Sequence, residues 1–152
     1  MATKTTHTYS TKKGSERFSW DVQLLWEASK EVTAVEWEIP ETFLMEWNWG
    51  DDHLSAHIKR CLEASLEYPI IIHAGAVVDG CHRVVKTLAL GQTTISAVLL
   101  EEMPKPSFIE GAKEFSEGEP TWTNRDLVLV VREILQIDRD RKYKFSHPAD
   151  GF

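Results

Sequence analysis

The residues with the most chemical promise in this chain are Asp79-Gly80-Cys81-His82-Arg83, where an apolar β-branched run ends and a helical pattern begins. Gly80 lets the backbone bend sharply between the two. The first amides of a helix have no partner within it, and the helix dipole is positive at that end. A phosphate or another anion is therefore favoured there. His82 and Arg83 fall in the first turn, where the dipole disfavours cations, so a bound anion is the natural compensation. Arg83 can grip a phosphate through two parallel hydrogen bonds, and Lys86 lies one turn further on. Asp79 is placed to hold Arg83 or to sit near a metal ion. Cys81 reads in two ways. A helix start with His82 and Arg83 beside it lowers a thiol pKa and makes a nucleophile, whereas a small cysteine also simply packs.

A second group lies on the preceding helical stretch. His53, His57 and Cys61 recur every four residues, and Arg60 follows His57 by three. Histidines at this spacing can share a zinc ion, but no third ligand completes a set, so no metal site is assigned. His57 and Arg60 read instead as pocket-lining groups, because this helix runs straight into an apolar strand. The alternative for both histidines is plain solvent exposure. Trp47 and Trp49 either stack on a substrate ring or cover an edge of the core.

The elements that must carry these residues follow from periodicity. Phe18, Val22, Leu25, Trp26 and Ser29 fall at helix-face spacing, with Ser19 as N-cap. Val35, Trp37 and Ile39 alternate as a strand stopped by Pro40. Leu54, Ile58, Cys61, Leu62 and Leu66 mark a helix that Asp51 or Asp52 can cap. Residues 68–72 form a buried strand, 73–76 a tight turn at Gly75, and 76–79 a returning strand. A helix over 81–90, with Val84, Val85, Leu88 and Ala89 inward, and a strand over 93–100 complete the run. Residues 102–120 read as a long loop, a lid or a surface excursion. Thr123 caps a last helix with Leu127, Val130, Val131, Ile134 and Leu135 in its stripe.

The chain has 152 residues with 42% apolar and 27% charged residues, the balance of one globular domain. Expected boundaries are a disordered tail at 1–16, one domain at 17–138 and a loose charged tail at 139–152. The net charge of -7 makes nucleic-acid binding unlikely, since phosphate neutralisation needs clustered Lys and Arg. Two cysteines are too few for a disulfide scaffold, and no apolar run approaches membrane-spanning length. The expected location is cytoplasmic, with no membrane partner. Oligomeric state is not legible.

The segment PIIIHAGAVVDGCHRVVKTLALGQTTISAVLL resembles the core of the ParB/sulfiredoxin superfamily: strand, turn, a strand ending in Asp-Gly-x-His-Arg or Gly-Gly-Cys-His-Arg, helix, Leu-Gly and strand. The resemblance covers Tyr68 to Leu100. It implies a compact α/β (α+β) domain whose motif, Gly80 through Arg83, binds nucleotide phosphates. It also implies a His-x-x-Arg pair, here His57 and Arg60, on the preceding helix. In sulfiredoxins the cysteine of the motif is catalytic, which would make Cys81 the nucleophile. In the free-serine kinases of the superfamily the Asp-Gly-x-His-Arg segment holds phosphates for transfer. Sulfiredoxins carry Gly where this chain has Asp79, and partition proteins continue into a helix-turn-helix for which the remaining chain is too short.

The expected function is therefore phosphoryl transfer from ATP or ADP with Mg²⁺. The phosphates would rest on the helix start, His82, Arg83 and Lys86, with Asp79 near the metal. His57 or Glu36 would activate an unidentified small-molecule or protein acceptor. The alternatives are a non-catalytic nucleotide-binding regulatory module and a nuclease-like, DNA-directed enzyme.

Overall fold

The computed structural model describes residues 8–13, 15–111 and 121–146, with side chains over 9–11, 15–110 and 121–137. The fold is mixed α and β. In chain order it runs β1 (Thr8–Lys13), β2 (Glu16–Asp21), α1 (Val22–Ser29), β3 (Val35–Glu38), a 3-10 turn (Glu41–Met45) and β4 (Trp47–Trp49). Then come α2 (Leu54–Glu63), β5 (Ile70–His73), β6 (Ala76–Asp79), α3 (Cys81–Ala89), β7 (Thr94–Leu100), β8 (Phe108–Gly111), β9 (Trp122–Thr123) and α4 (Asn124–Ser146). Where the sequence suggests one domain over 17–138, the chain divides into two compact units. The first falls within Met1–Trp37, Glu67–Cys81 and Thr94–Gly118, the second within Glu38–Leu66, His82–Thr93 and Glu119–Phe152.

The first unit holds two sheets. One has the order β3-β7-β5-β6, with β5 antiparallel to β6 and parallel to β7. Ile70, Ile71 and Ile72 are all buried, as a β-branched run covered on both faces must be. The β5–β6 hairpin pairs His73 with Ala76 across Ala74 and Gly75, both at positive φ (50° and 81°). That is the left-handed pair a type I′ turn needs, and Ala74 meets it at a steric cost that Asn or Gly would avoid. Ala74→Asn is expected to raise stability by about 1 kcal/mol, read as a higher denaturant midpoint at unchanged slope.

The second sheet of this unit, β1-β2-β8, corrects three expectations. Residues 8–13 and 16–21 are paired strands, not tail, with Tyr9 opposite Trp20 and Lys13 opposite Glu16. The helix expected from Phe18 starts only at Val22. Phe18 and Trp20 lie two apart on β2, and that period of two prevails over the helix-face spacing once a partner strand is present. Within the expected loop over 102–120, Phe108–Gly111 is an edge strand on β2, while 112–120 lie outside the described residues. Trp20, Leu25, Ile71, Val78, Val98 and Leu100 form the core, with Phe18, Tyr9 and Met103 against it.

The second unit packs α2 and α4 with the 3-10 turn and the short β4–β9 ladder. Thr123 is the N-cap of α4 as expected. The amide of Asp126 donates to Thr123 Oγ1 (3.1 Å) and the amide of Thr123 donates to the Asp126 carboxylate (2.9 Å), a reciprocal capping box. Leu127, Val128 and Val131 are buried. The helix continues to Ser146, so the expected loose tail from Arg139 is helical over its first part, and 147–152 lie outside the described residues. Neither Asp51 nor Asp52 caps α2. Its N-cap is His53 in the left-handed region (φ 62°), and Asp51 Oδ1 instead accepts from Trp122 Nε1 (2.9 Å). Among the described residues no helix is long and apolar enough to cross a membrane.

Candidate functional site

The five residues of the motif divide between the units: Asp79, Gly80 and Cys81 belong to the first, His82 and Arg83 to the second. In the first unit β6 delivers Asp79 at its end, and Gly80 turns the chain at φ 107°, a conformation that strains any side-chain-bearing residue. Helix α3 begins at the next residue, as the sequence led us to expect. Asp79 Oδ2 accepts a hydrogen bond from Trp26 Nε1 (2.9 Å), which ties the end of β6 to α1. Nothing in the sequence pointed to that partner, because Trp26 lies far upstream. Cys81 is half-buried and is not part of a disulfide. Glu36, the alternative base, accepts from Thr94 Oγ1 (2.9 Å) within the first unit's sheet.

In the second unit the two histidines singled out separately meet. His57 Nδ1 and His82 Nε2 are 3.1 Å apart, in hydrogen-bonding contact, and the rings stack at 5.3 Å between centroids and 18° between planes. Trp49 closes on both, 4.8 Å from the His57 ring and 5.4 Å from that of His82. Trp49 is buried and Trp47 is 59% exposed, so one of the two tryptophans is core and the other is surface. Buried Asn124 holds Trp49: its Oδ1 accepts from Trp49 Nε1 at 2.8 Å. Asn124 is a positioning residue that the sequence reading missed, and an Asn at a helix start next to a good cap is its only trace.

Lys86 has a use other than the expected one. Its ammonium donates to the carbonyls of Leu62 (3.0 Å) and Ala64 (2.8 Å), at the C-terminal end of α2. A cation there satisfies end carbonyls and complements the dipole. It also fixes α2 against α3, which holds His57 beside His82. Arg132 does the same for the end of α3, donating to Leu88 O (2.8 Å) and Ala89 O (3.3 Å). Arg60 is exposed on α2, and Arg83 is half-buried. Cys61 is fully buried, and burial pushes its thiol up to about 12, so it is a core residue and neither a ligand nor a nucleophile. Among the described residues no group of three His, Cys, Asp or Glu side chains is arranged to hold a metal ion.

The electrostatics keep His57 neutral. Burial, then the neighbouring Arg60 and His53 charges, hold its pKa below the ordinary 6.5. Of the two facing nitrogens one must donate and the other accept, so the hydrogen bond survives only while the two rings are not both cations. A depressed histidine binds protons more readily in the unfolded chain. It therefore costs nothing well above 6.5 and destabilises the fold as pH falls through that value. The melting temperature is expected to fall between about pH 7.5 and 5.5, and to fall less in His57→Gln. Parallel curves for the two proteins over that window would contradict this assignment.

Compared with family models, curated proteins and solved structures, the chain has no match.

Proposed function

We propose that the chain is a ParB/sulfiredoxin-like nucleotide-binding enzyme that takes the phosphates of ATP or ADP at the opening of α3 and transfers a phosphoryl group to an acceptor. One observation carries this reading. The first turn of α3 contains His82 and Arg83 and no acidic residue, and His82 is hydrogen-bonded to a His57 whose pKa is depressed. The positive end of a helix dipole, reinforced by basic side chains, fits phosphate oxygens. A neutral histidine pair beside it fits proton removal from a hydroxyl.

In this reading Arg83 grips phosphate oxygens and fixes the reacting group in line with the acceptor. The acceptor's proton is taken up by the histidine pair and shared across the 3.1 Å contact between His82 Nε2 and His57 Nδ1. His57 can receive it because burial and its cationic neighbours leave it neutral near pH 7. Trp49, packed edge-on against His57, keeps water from that face. The described residues do not form a protein cage for Mg²⁺, so the metal would arrive on the phosphates, where it neutralises charge.

The test is thermal denaturation with ATP, ADP, CTP and GTP, each with and without Mg²⁺, on wild type and Arg83→Ala, followed by assay for nucleotide turnover. Stabilisation by ATP or ADP that Arg83→Ala loses, together with slow turnover that His57→Gln abolishes, is the expected outcome. Stabilisation without turnover under any acceptor would leave a binding module. No shift with any nucleotide would remove both readings.

A further inference from the structure

The first unit contains a cavity of about 390 Å³ that shares no residue with the phosphate-binding motif. We infer that it is a separate binding site for a small, neutral, planar aromatic molecule bearing one hydrogen-bond donor. Its volume lies within the range of small-molecule sites, roughly 300–1,000 Å³. Its walls are Tyr9, Phe18 and Trp20 of the β1–β2 hairpin, with Met103 beside them. Tyr9 and Trp20 sit opposite one another in the ladder, with ring centroids 5.9 Å apart and planes tilted by 33°. Trp20 Nε1–H is already committed to Pro104 O at 2.7 Å, so its indole offers the cavity carbon surface. A thioether and aromatic rings form a wall that suits another ring.

The polarity of the site is equally restricted. Among the described residues no Asp, Glu, Lys or Arg lines it, and the polar side chains that do are those of Tyr9, Thr11 and His73, so a phosphorylated or otherwise charged ligand finds no carboxylate, ammonium or guanidinium partner among them. His73, at the end of β5, is a lining residue whose Nδ1 lies 3.0 Å from the carbonyl oxygen of Leu100. A carbonyl only accepts, so Nδ1 carries the proton and Nε2 of the neutral ring is an acceptor. An acceptor on a residue that lines an aromatic cavity favours a ligand with one N–H or O–H, of the indole or phenol kind.

The probes are indole and N-methylindole, which differ in the donor. The readout is the NMR shift of methionine methyl groups in the ¹³C-methyl-labelled full chain. Met103 lines the cavity, and Met45, 67% exposed in the second unit, is the internal control. Indole is expected to move Met103 saturably without moving Met45. N-methylindole should bind about tenfold more weakly, the worth of one hydrogen bond to the half-buried His73. In His73→Phe the two probes should bind alike. A Met103 shift that does not saturate, a Met45 shift that tracks it, or equal binding of both probes to wild type would overturn the inference. Each of these results is independent of any nucleotide effect at α3.

Discussion

Replacing Asn124 with leucine is expected to destabilise the chain by about 3–5 kcal/mol, a fall of roughly 10 °C in melting temperature. Asn124 is fully buried. Its Oδ1 accepts from Trp49 Nε1 (2.8 Å) and Asn48 Nδ2 (3.1 Å), and its Nδ2 donates to Phe43 O (2.7 Å). Its backbone amide donates to Glu46 O at 2.9 Å, so the residue joins the start of α4 to both the 3-10 turn and β4. Leucine has nearly the same volume but strands an indole N–H and a backbone carbonyl away from water. Each orphan costs about 1–3 kcal/mol, far more than the net worth of an intact hydrogen bond. Asn124→Asp separates the causes. It keeps the acceptor for Trp49 but turns the donor to Phe43 into a second acceptor and adds a buried charge, so it should be at least as harmful. Because Asn124 holds Trp49 against the histidine pair, the loss should also appear as weakened His57–His82 coupling in imidazole NMR signals. A melting temperature within a few degrees of wild type for both variants would mean that this network is not what orders the second unit.

On the proposed function, Arg83→Ala is expected to lower nucleotide affinity by about 10–100-fold, the worth of a charge-assisted, forked hydrogen bond to phosphate. In linkage terms, ligand present at about 100 times its dissociation constant stabilises the wild type by about 2.7 kcal/mol. A thirtyfold loss of affinity reduces that gain to under about 1 kcal/mol at the same concentration. Arg83→Lys should recover part of the charge but not the fork, and so fall between the two. Stability without nucleotide must be measured in parallel, because Arg83 is half-buried and its removal has a structural cost of its own. The informative quantity is the nucleotide-induced increment, which a purely structural Arg83 would leave unchanged.

The run from α2 to β7 was legible in the residues themselves. Hydrophobic periodicity, a β-branched triplet at 70–72 and the glycines at 75 and 80 are local properties, and the structure forms a helix, a hairpin, a helix and a strand there in that order. The cap of α4 was equally local, since Thr123 and Asp126 satisfy each other within one turn. Residues 16–21 misled, because Phe18 stands at helix-face spacing from Val22 and Leu25, while the competing strand is stabilised only by pairing with β1 and β8.

Residue order in this chain determined where a strand stops, where a helix opens and which side chains stand in that first turn. Those outcomes depend on φ preferences and on neighbours three or four positions away. Tertiary structure alone decided that His57 meets His82, that Trp26 holds Asp79, that Lys86 closes the end of α2 and that Asn124 anchors Trp49. Each of these pairs joins residues that are remote in sequence, and a hydrogen bond between them carries no local energetic signature. Only the packed chain, in which a buried donor must find an acceptor or forfeit its hydration, selects the partner.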